Sequence, residues 1–131
     1  MANTSERILP APPVAPEEAP FFAAAREGRF VIPRCTACGR THWYPRAVCP
    51  HCFGTRMEWQ PASGKGTLYS FSPMRRVDPP FTLAYVTLAE GPTMLTNLVD
   101  CDVDGLRIGQ SVRLVFKPAE DGTPVPCFTV A

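Results

Sequence analysis

The chain has 131 residues and a mass of 14.4 kDa, which is room for one compact domain or two very small ones, and its 45% hydrophobic content is ordinary for a folded soluble protein. A formal net charge of +1 argues against a strong non-specific polyanion binder, because such domains carry a clear basic excess. No basic cluster followed by an apolar run opens the sequence, and no stretch approaches the ~18 apolar residues of a membrane span, so we expect a cytoplasmic protein with no membrane association.

Residues 1 to 16 are rich in Pro and Ala, with Pro10, Pro12, Pro13 and Pro16 and almost no large apolar side chains. Such a segment buries too little surface to offset its ordering entropy, and an extended or mobile arm is expected. From Glu17 the pattern becomes helical. Glu17 and Glu18 suit a first turn, Phe21, Phe22 and Ala25 can share one face, and Gly28 is a plausible stop, despite Pro20 near the start. A helix this short is marginal alone, and a chain of this size has little core for two adjacent phenylalanines. Phe21 and Phe22 are therefore candidate partner-interface residues, against the plainer reading that both rings pack on their own chain.

The segment from Phe30 to Trp59 has too little periodic hydrophobicity for a core of its own, but it holds two CxxC pairs. Cys35-Thr36-Ala37-Cys38-Gly39 is followed by Cys49-Pro50-His51-Cys52, with ten residues between Cys38 and Cys49. Two intervening residues let both thiolates of a tight turn reach one ion about 2.3 Å away, and Gly39 permits the left-handed backbone that such a knuckle favours. In a reducing compartment this grouping points to metal rather than to disulfides. Cys35, Cys38, Cys49 and Cys52 are thus expected to bind one zinc ion. Four sulfurs leave no open coordination position, so the ion is structural, with iron in the same geometry as the chemical rival. His42 and His51 read as residues behind the ligands or on the surface. Cys101 and Cys127 have no histidine at a spacing that suggests a nucleophile pair and read as small buried apolar residues.

Past Gly64 the texture is all-β. Gly66 to Met74, Phe81 to Leu88, Thr93 to Val99, Ser111 to Phe116 and Cys127 to Val130 are five strands separated by turn residues such as Asp78-Pro79-Pro80, Glu90-Gly91-Pro92 and Asp121-Gly122-Thr123-Pro124. Five short strands in this length suit a small Greek-key barrel of the OB type, with an SH3-like barrel as the alternative. The fold class is therefore mainly β, with residues 1–30 as arm and helix, 31–60 as a zinc ribbon and 61–131 as an OB-fold barrel.

Charge is unevenly placed. Arg26, Arg29, Arg34, Arg40, Arg46 and Arg56 face the single acid Glu27 in that stretch, whereas Val77 to Asp104 holds Asp78, Glu90, Asp100, Asp102 and Asp104 and no Lys or Arg. These are either solvated faces or, for the basic end, a surface that meets an anionic ligand. No GxSxG, HExxH or phosphate-cradling glycine loop accompanies them, so the chain reads as unequipped for chemistry on its own.

The order of elements, with Gly64-Lys65-Gly66-Thr67-Leu68-Tyr69-Ser70-Phe71, Ala84-Tyr85-Val86-Thr87-Leu88-Ala89-Glu90-Gly91, Leu95-Thr96-Asn97-Leu98-Val99-Asp100, Leu106-Arg107-Ile108-Gly109-Gln110-Ser111-Val112 and Pro126-Cys127-Phe128, resembles the DUF35 family over about residues 17 to 131. Those proteins have a rubredoxin-like zinc ribbon followed by an OB-fold and are associated with acyl-CoA metabolism. One departure is Phe53 after the second CxxC, where Gly usually follows at once and here comes one place late as Gly54. The resemblance implies a non-catalytic accessory subunit of a thiolase-fold or hot-dog-fold acyl-CoA enzyme, with the catalytic residues on that partner. A coenzyme A thioester is the implied ligand, and Arg34, Arg40 and Arg46, beside His42, Trp43 and Tyr44, suit its phosphates and adenine. The alternative is a nucleic-acid-binding module, a use that zinc ribbons and OB barrels also serve. Against it stand only two lysines, Lys65 and Lys117, and no base from Phe81 to Val99, so nucleic acid is not the expected partner.

Overall fold

The helix read around the paired phenylalanines is present in the computed structural model, which describes residues 7–131. Helix α1 spans Ala19–Arg26, with Pro20 in its first turn, where a missing backbone N–H costs nothing, and it ends before Gly28 at φ +78°. Glu18 sits at the N-cap but does not cap the helix. Its carboxylate instead accepts from the Tyr44 hydroxyl, so the acidic residue expected to serve the helix start serves a tertiary contact.

Phe21 and Phe22 are only 1% and 6% exposed. They pack edge to face on each other, with Phe21 also against Phe30 and Trp43 at ring-centroid distances of 6.1 and 5.0 Å. The pair expected to face a partner is thus buried in its own chain. The missing core that motivated that expectation is supplied by the ribbon: Phe30, Val31 and Ile32 join Phe21, Phe22 and the barrel interior in one apolar cluster.

Strand β1, Val31–Cys35, pairs antiparallel with β2, Met57–Pro61, and the two CxxC turns sit between them. Neither strand stands out in the sequence, because each is five residues long and contains a proline, Pro33 or Pro61. The ribbon therefore has apolar packing on the barrel in addition to its metal site. Its first strand is buried at Val31, Ile32, Pro33 and Cys35, and Phe30 meets Phe116 of the barrel at 6.4 Å.

The barrel strands are β3 Lys65–Met74, β4 Phe81–Leu88, β5 Thr93–Leu98, β6 Ser111–Pro118 and β7 Pro124–Val130. They close in the order β3-β4-β5-β7-β6, in which the only parallel contact is Leu98 with Phe128. This closure is the Greek key of an OB-fold, and a closed barrel removes exposed sheet edges. A bulge at Tyr69 interrupts the β3–β4 register and lets the long first strand bend around the barrel. Leu68, Val86, Leu98, Val112 and Phe128 fill the interior. At Gly66 an added Cβ would lie 2.5 Å from Val86 Cγ1, so that glycine is there for close approach to β4.

Residues 1–6 of the expected arm lie outside the described residues. Of the rest, Leu9 is buried, pairs with Ala119 and packs with Val99 and Cys127. Arg7 donates to Asn97 at 3.2 Å and its guanidinium lies 3.8 Å from the centroid of the Phe81 ring. One leucine and one cation on an aromatic face are enough to seat this part of an otherwise apolar-poor segment.

A candidate metal centre and a basic cleft beside it

The two knuckles are near copies of each other. In the first, Cys35 N–H donates to the Arg40 carbonyl at 2.9 Å and Gly39 N–H to the Cys35 carbonyl at 2.8 Å. In the second, Cys49 N–H donates to the Gly54 carbonyl at 2.8 Å and Phe53 N–H to the Cys49 carbonyl at 2.9 Å. Gly39 meets the left-handed requirement at φ +78°, while in the second knuckle Phe53 itself adopts φ +65°. Gly54 answers a different need: an added Cβ there would lie 3.3 Å from the sulfurs of both Cys35 and Cys52. The glycine that comes one place late keeps space clear beside the ligands, and the ring of Phe53, 78% exposed, points to solvent.

The four sulfurs lie within 4.8 Å of one another, with Cys35 to Cys52 at 3.6 Å and Cys38 to Cys49 at 3.8 Å. A tetrahedral zinc with bonds near 2.3 Å separates its sulfurs by about 3.8 Å, so the donor set fits the ion. The first cysteine of each knuckle is buried and the second exposed, which places the site at the surface with its inner half walled by the ribbon. Backbone N–H groups of His51 and Gly54 point at the Cys49 and Cys52 sulfurs at 3.3 and 3.4 Å. The Cys38 backbone N–H does most to pull the Cys35 thiol down to about 7. For Cys52 the Gly54 N–H lowers the value, yet the neighbouring sulfurs and burial together push it up to about 12. Four thiols this close do not all ionise alone, and a divalent cation removes that conflict.

His51 is exposed, with its Nε2 3.3 Å from the Thr41 carbonyl oxygen. Of the two positions read for His42, behind the ligands or on the surface, the surface one does not hold: it is 3% exposed and neither ring nitrogen has a hydrogen-bond partner among the described residues. Burial, then the charges of Arg46 and His51, lower its pKa and favour the neutral imidazole. Cys127 is fully buried and desolvation pushes its thiol up to about 12, while Cys101 is half-buried and raised by burial and by Asp100 and Asp102. Neither thiol is activated as a nucleophile.

Beside the metal centre, the chain after the first knuckle faces the β4–β5 turn across a cleft of about 630 Å³ that Arg40, Arg46, His42, Trp43 and Glu90 help line. Thr41 Oγ1 donates across this junction to the Glu90 carbonyl at 3.3 Å. Arg40 and Arg46 thus line one cleft, whereas Arg34 is not part of its lining and pairs with Glu58. A second, more apolar groove of about 450 Å³ shares Trp43 and Arg46 with the cleft and runs along Tyr44, Tyr85 and Leu95 toward Pro126. No sequence signal pointed to Glu90 as part of the site, because it lies nearly forty residues beyond the last cysteine ligand, on the turn between two strands.

A zinc ribbon with a closed four-thiolate site, packed on a five-stranded OB barrel, defines the class of protein. Residues 22–58 match the family model described as the ChsH2 rubredoxin-like zinc ribbon domain, and residues 59–117 match the ChsH2 C-terminal OB-fold domain. The chain belongs to the DUF35 family. It is 32% identical over 95 residues to a DUF35 domain-containing scaffold protein of Methanothermobacter thermautotrophicus, covering 67% of this chain and 71% of that one. It is 34% identical over 129 residues to a probable enoyl-CoA hydratase alpha subunit of Thermomonospora curvata, covering 95% of this chain but only 40% of that longer protein. With the benzoylsuccinyl-CoA thiolase subunit BbsA of Geobacter metallireducens it shares 30% identity over 89 residues, 65% of this chain and 60% of that one. Among solved structures, the Ltp2-ChsH2(DUF35) aldolase superposes with a TM-score of 0.81 at 32% identity, covering 92% of this chain and 98% of the matched one.

Proposed function

We propose that this chain is a non-catalytic accessory subunit of a cytoplasmic acyl-CoA-processing complex, docked on a thiolase-fold enzyme and helping both to assemble it and to hold its coenzyme A thioester. The observation that carries this reading is the cleft in which Arg40 and Arg46 converge beside the zinc ribbon. Two guanidinium groups with an aromatic neighbour suit a polyphosphate joined to a purine. Relatives named as a thiolase subunit and as part of an aldolase supply the class of partner. The zinc, held by Cys35, Cys38, Cys49 and Cys52, orders the knuckles that present these arginines and takes no part in acyl transfer, since its four positions are filled by sulfur. Arg34, engaged with Glu58, drops out of the ligand set.

The partner surface in this reading is the apolar groove, whose lining includes the largely buried Phe21 and Phe22 and whose rim is exposed. Tyr85 and Leu95 are cross-strand neighbours, 47% and 54% exposed, and Tyr44 stands beside them. Exposed aromatic and aliphatic side chains around a groove are the anchors that stabilise subunit interfaces. A hydratase as partner is the second reading, favoured by the Thermomonospora relative, whose match takes in 95% of this chain.

Purification of the native complex tests the proposal. A thiolase-like or hydratase-like protein in stoichiometric amount, with coenzyme A binding weakened by added salt, is the expected result. Co-purifying nucleic acid with no acyl-CoA enzyme would overturn it.

A further inference from the structure

The cleft lined by Arg40 and Arg46 also holds two polar side chains whose hydrogen-bonding capacity the described residues do not fully use. Glu90 Oε2 accepts from the Ser63 backbone N–H at 2.9 Å, but Glu90 Oε1 is buried with no partner among the described residues. His42 contributes two more buried nitrogens in the same condition. Both residues line the cleft, although the three atoms themselves are covered, so a ligand reaches them once the two side chains turn toward it. A buried acceptor or donor left unpaired costs about 1–3 kcal/mol, so three such atoms around one cavity point to a ligand that satisfies them.

Their chemistry restricts that ligand. A carboxylate oxygen accepts and a neutral imidazole offers one donor and one acceptor, so a planar group with an N–H donor next to an acceptor nitrogen matches the pair. The same carboxylate repels phosphate, and the two arginines attract it. The cleft therefore sorts the ends of a ligand that carries a base and an anionic chain.

We infer that this cleft binds the adenine end of an adenine nucleotide, with Glu90 Oε1 accepting from the exocyclic amino group, His42 donating to the adjacent ring nitrogen, and Arg40 and Arg46 holding the phosphates. The choice of adenine rests on the coenzyme A reading above. A free adenosine diphosphate presents the same groups, and the experiment separates the two sources.

The zinc-loaded full chain is titrated by calorimetry with coenzyme A, ADP, IDP and inorganic pyrophosphate. IDP carries a carbonyl in place of the amino group and a proton on the adjacent ring nitrogen, which sets acceptor against acceptor at Glu90 and donor against the His42 donor. ADP is expected to bind about tenfold or more tighter than IDP, and pyrophosphate weakest. In Glu90→Gln, the Ser63 N–H holds the amide oxygen and leaves the amide nitrogen facing the base, so the preference moves toward IDP; zinc content and melting temperature report whether that variant folds. The wild-type comparison is decisive without it. Equal affinity for ADP and IDP overturns the adenine assignment, even where coenzyme A binds and the accessory-subunit reading stands. An ADP preference unchanged in folded Glu90→Gln overturns the role of Glu90. A clear ADP preference with no coenzyme A binding supports the cleft and sinks the coenzyme A reading, and no binding by any of the four ligands sinks both.

Discussion

Phe53 and Gly54 meet two different needs of the second knuckle, of which Gly39 meets only the left-handed backbone in the first. Phe53 takes the left-handed backbone, at a cost of about 1 kcal/mol for a residue with a Cβ, and Gly54 leaves room for the Cys35 and Cys52 sulfurs. Since the Phe53 ring is largely in solvent, Phe53→Gly should lose little packing and remove the strain, raising the melting temperature of the zinc protein by a few degrees. A lower melting temperature with zinc retained would show that the exposed ring contributes more than its backbone costs. The ligands themselves follow a sharper rule. Cys35→Ser or Cys49→Ser removes a buried sulfur from the tetrahedron, and zinc affinity and the fold of the ribbon should fall together. Cys101→Ser and Cys127→Ser should each keep one zinc per chain, although burying a hydroxyl at Cys127 lowers stability. Elemental analysis of the four purified variants, with circular dichroism, distinguishes the two groups.

At the scale of elements, the barrel was the most legible part because its strands are rich in β-branched and aromatic residues and its turns in Gly, Pro and Asp. Phe81–Leu88 has the extent expected, and the last strand begins earlier than expected only because Pro124 and Pro126 read as breakers. What the sequence hid was tertiary. Strands β1 and β2 carry prolines and little alternation, and nothing local says that Phe30 and Ile32 would join the barrel core. The same long-range packing buries Phe21 and Phe22 in their own chain, the plainer of the two readings for α1, while both still line the apolar groove. Of the candidate site, the zinc ligands follow from spacing alone, whereas the convergence of Arg40 and Arg46 on Glu90 depends on how ribbon and barrel meet. The burial of α1 makes a prediction about stability rather than assembly. Phe22→Ala should cost about 3–5 kcal/mol and lower the denaturation midpoint of the isolated chain. A variant as stable as wild type that fails only to bind a partner would restore the interface role to Phe22.

For the molecule as a whole, the asymmetry of charge seen along the sequence has a spatial counterpart, because the arginine-bearing ribbon meets the acid-bearing β4–β5 turn at the cleft instead of forming one uniform basic face. Trp43 and Arg46 border both this cleft and the apolar groove, so the proposed ligand site and the proposed partner surface are contiguous. Three charge-changing variants separate the two functions. Arg40→Glu alters the cleft alone and should weaken coenzyme A binding while leaving association with a thiolase-like partner near wild type, because an exposed arginine contributes mainly where it meets phosphate. Leu95→Asp lies on the groove alone and should weaken association, since a charge at an apolar anchor is costly to desolvate. Arg46→Glu touches both and should weaken both. The chain is titrated against the partner with and without coenzyme A, and against coenzyme A alone, at two salt concentrations. The effects of Arg40→Glu should shrink at high salt and those of Leu95→Asp should persist, because screening acts on charge and not on apolar burial. Wild-type behaviour of Arg46→Glu in every titration would show that cleft and groove are not the working surfaces of this subunit.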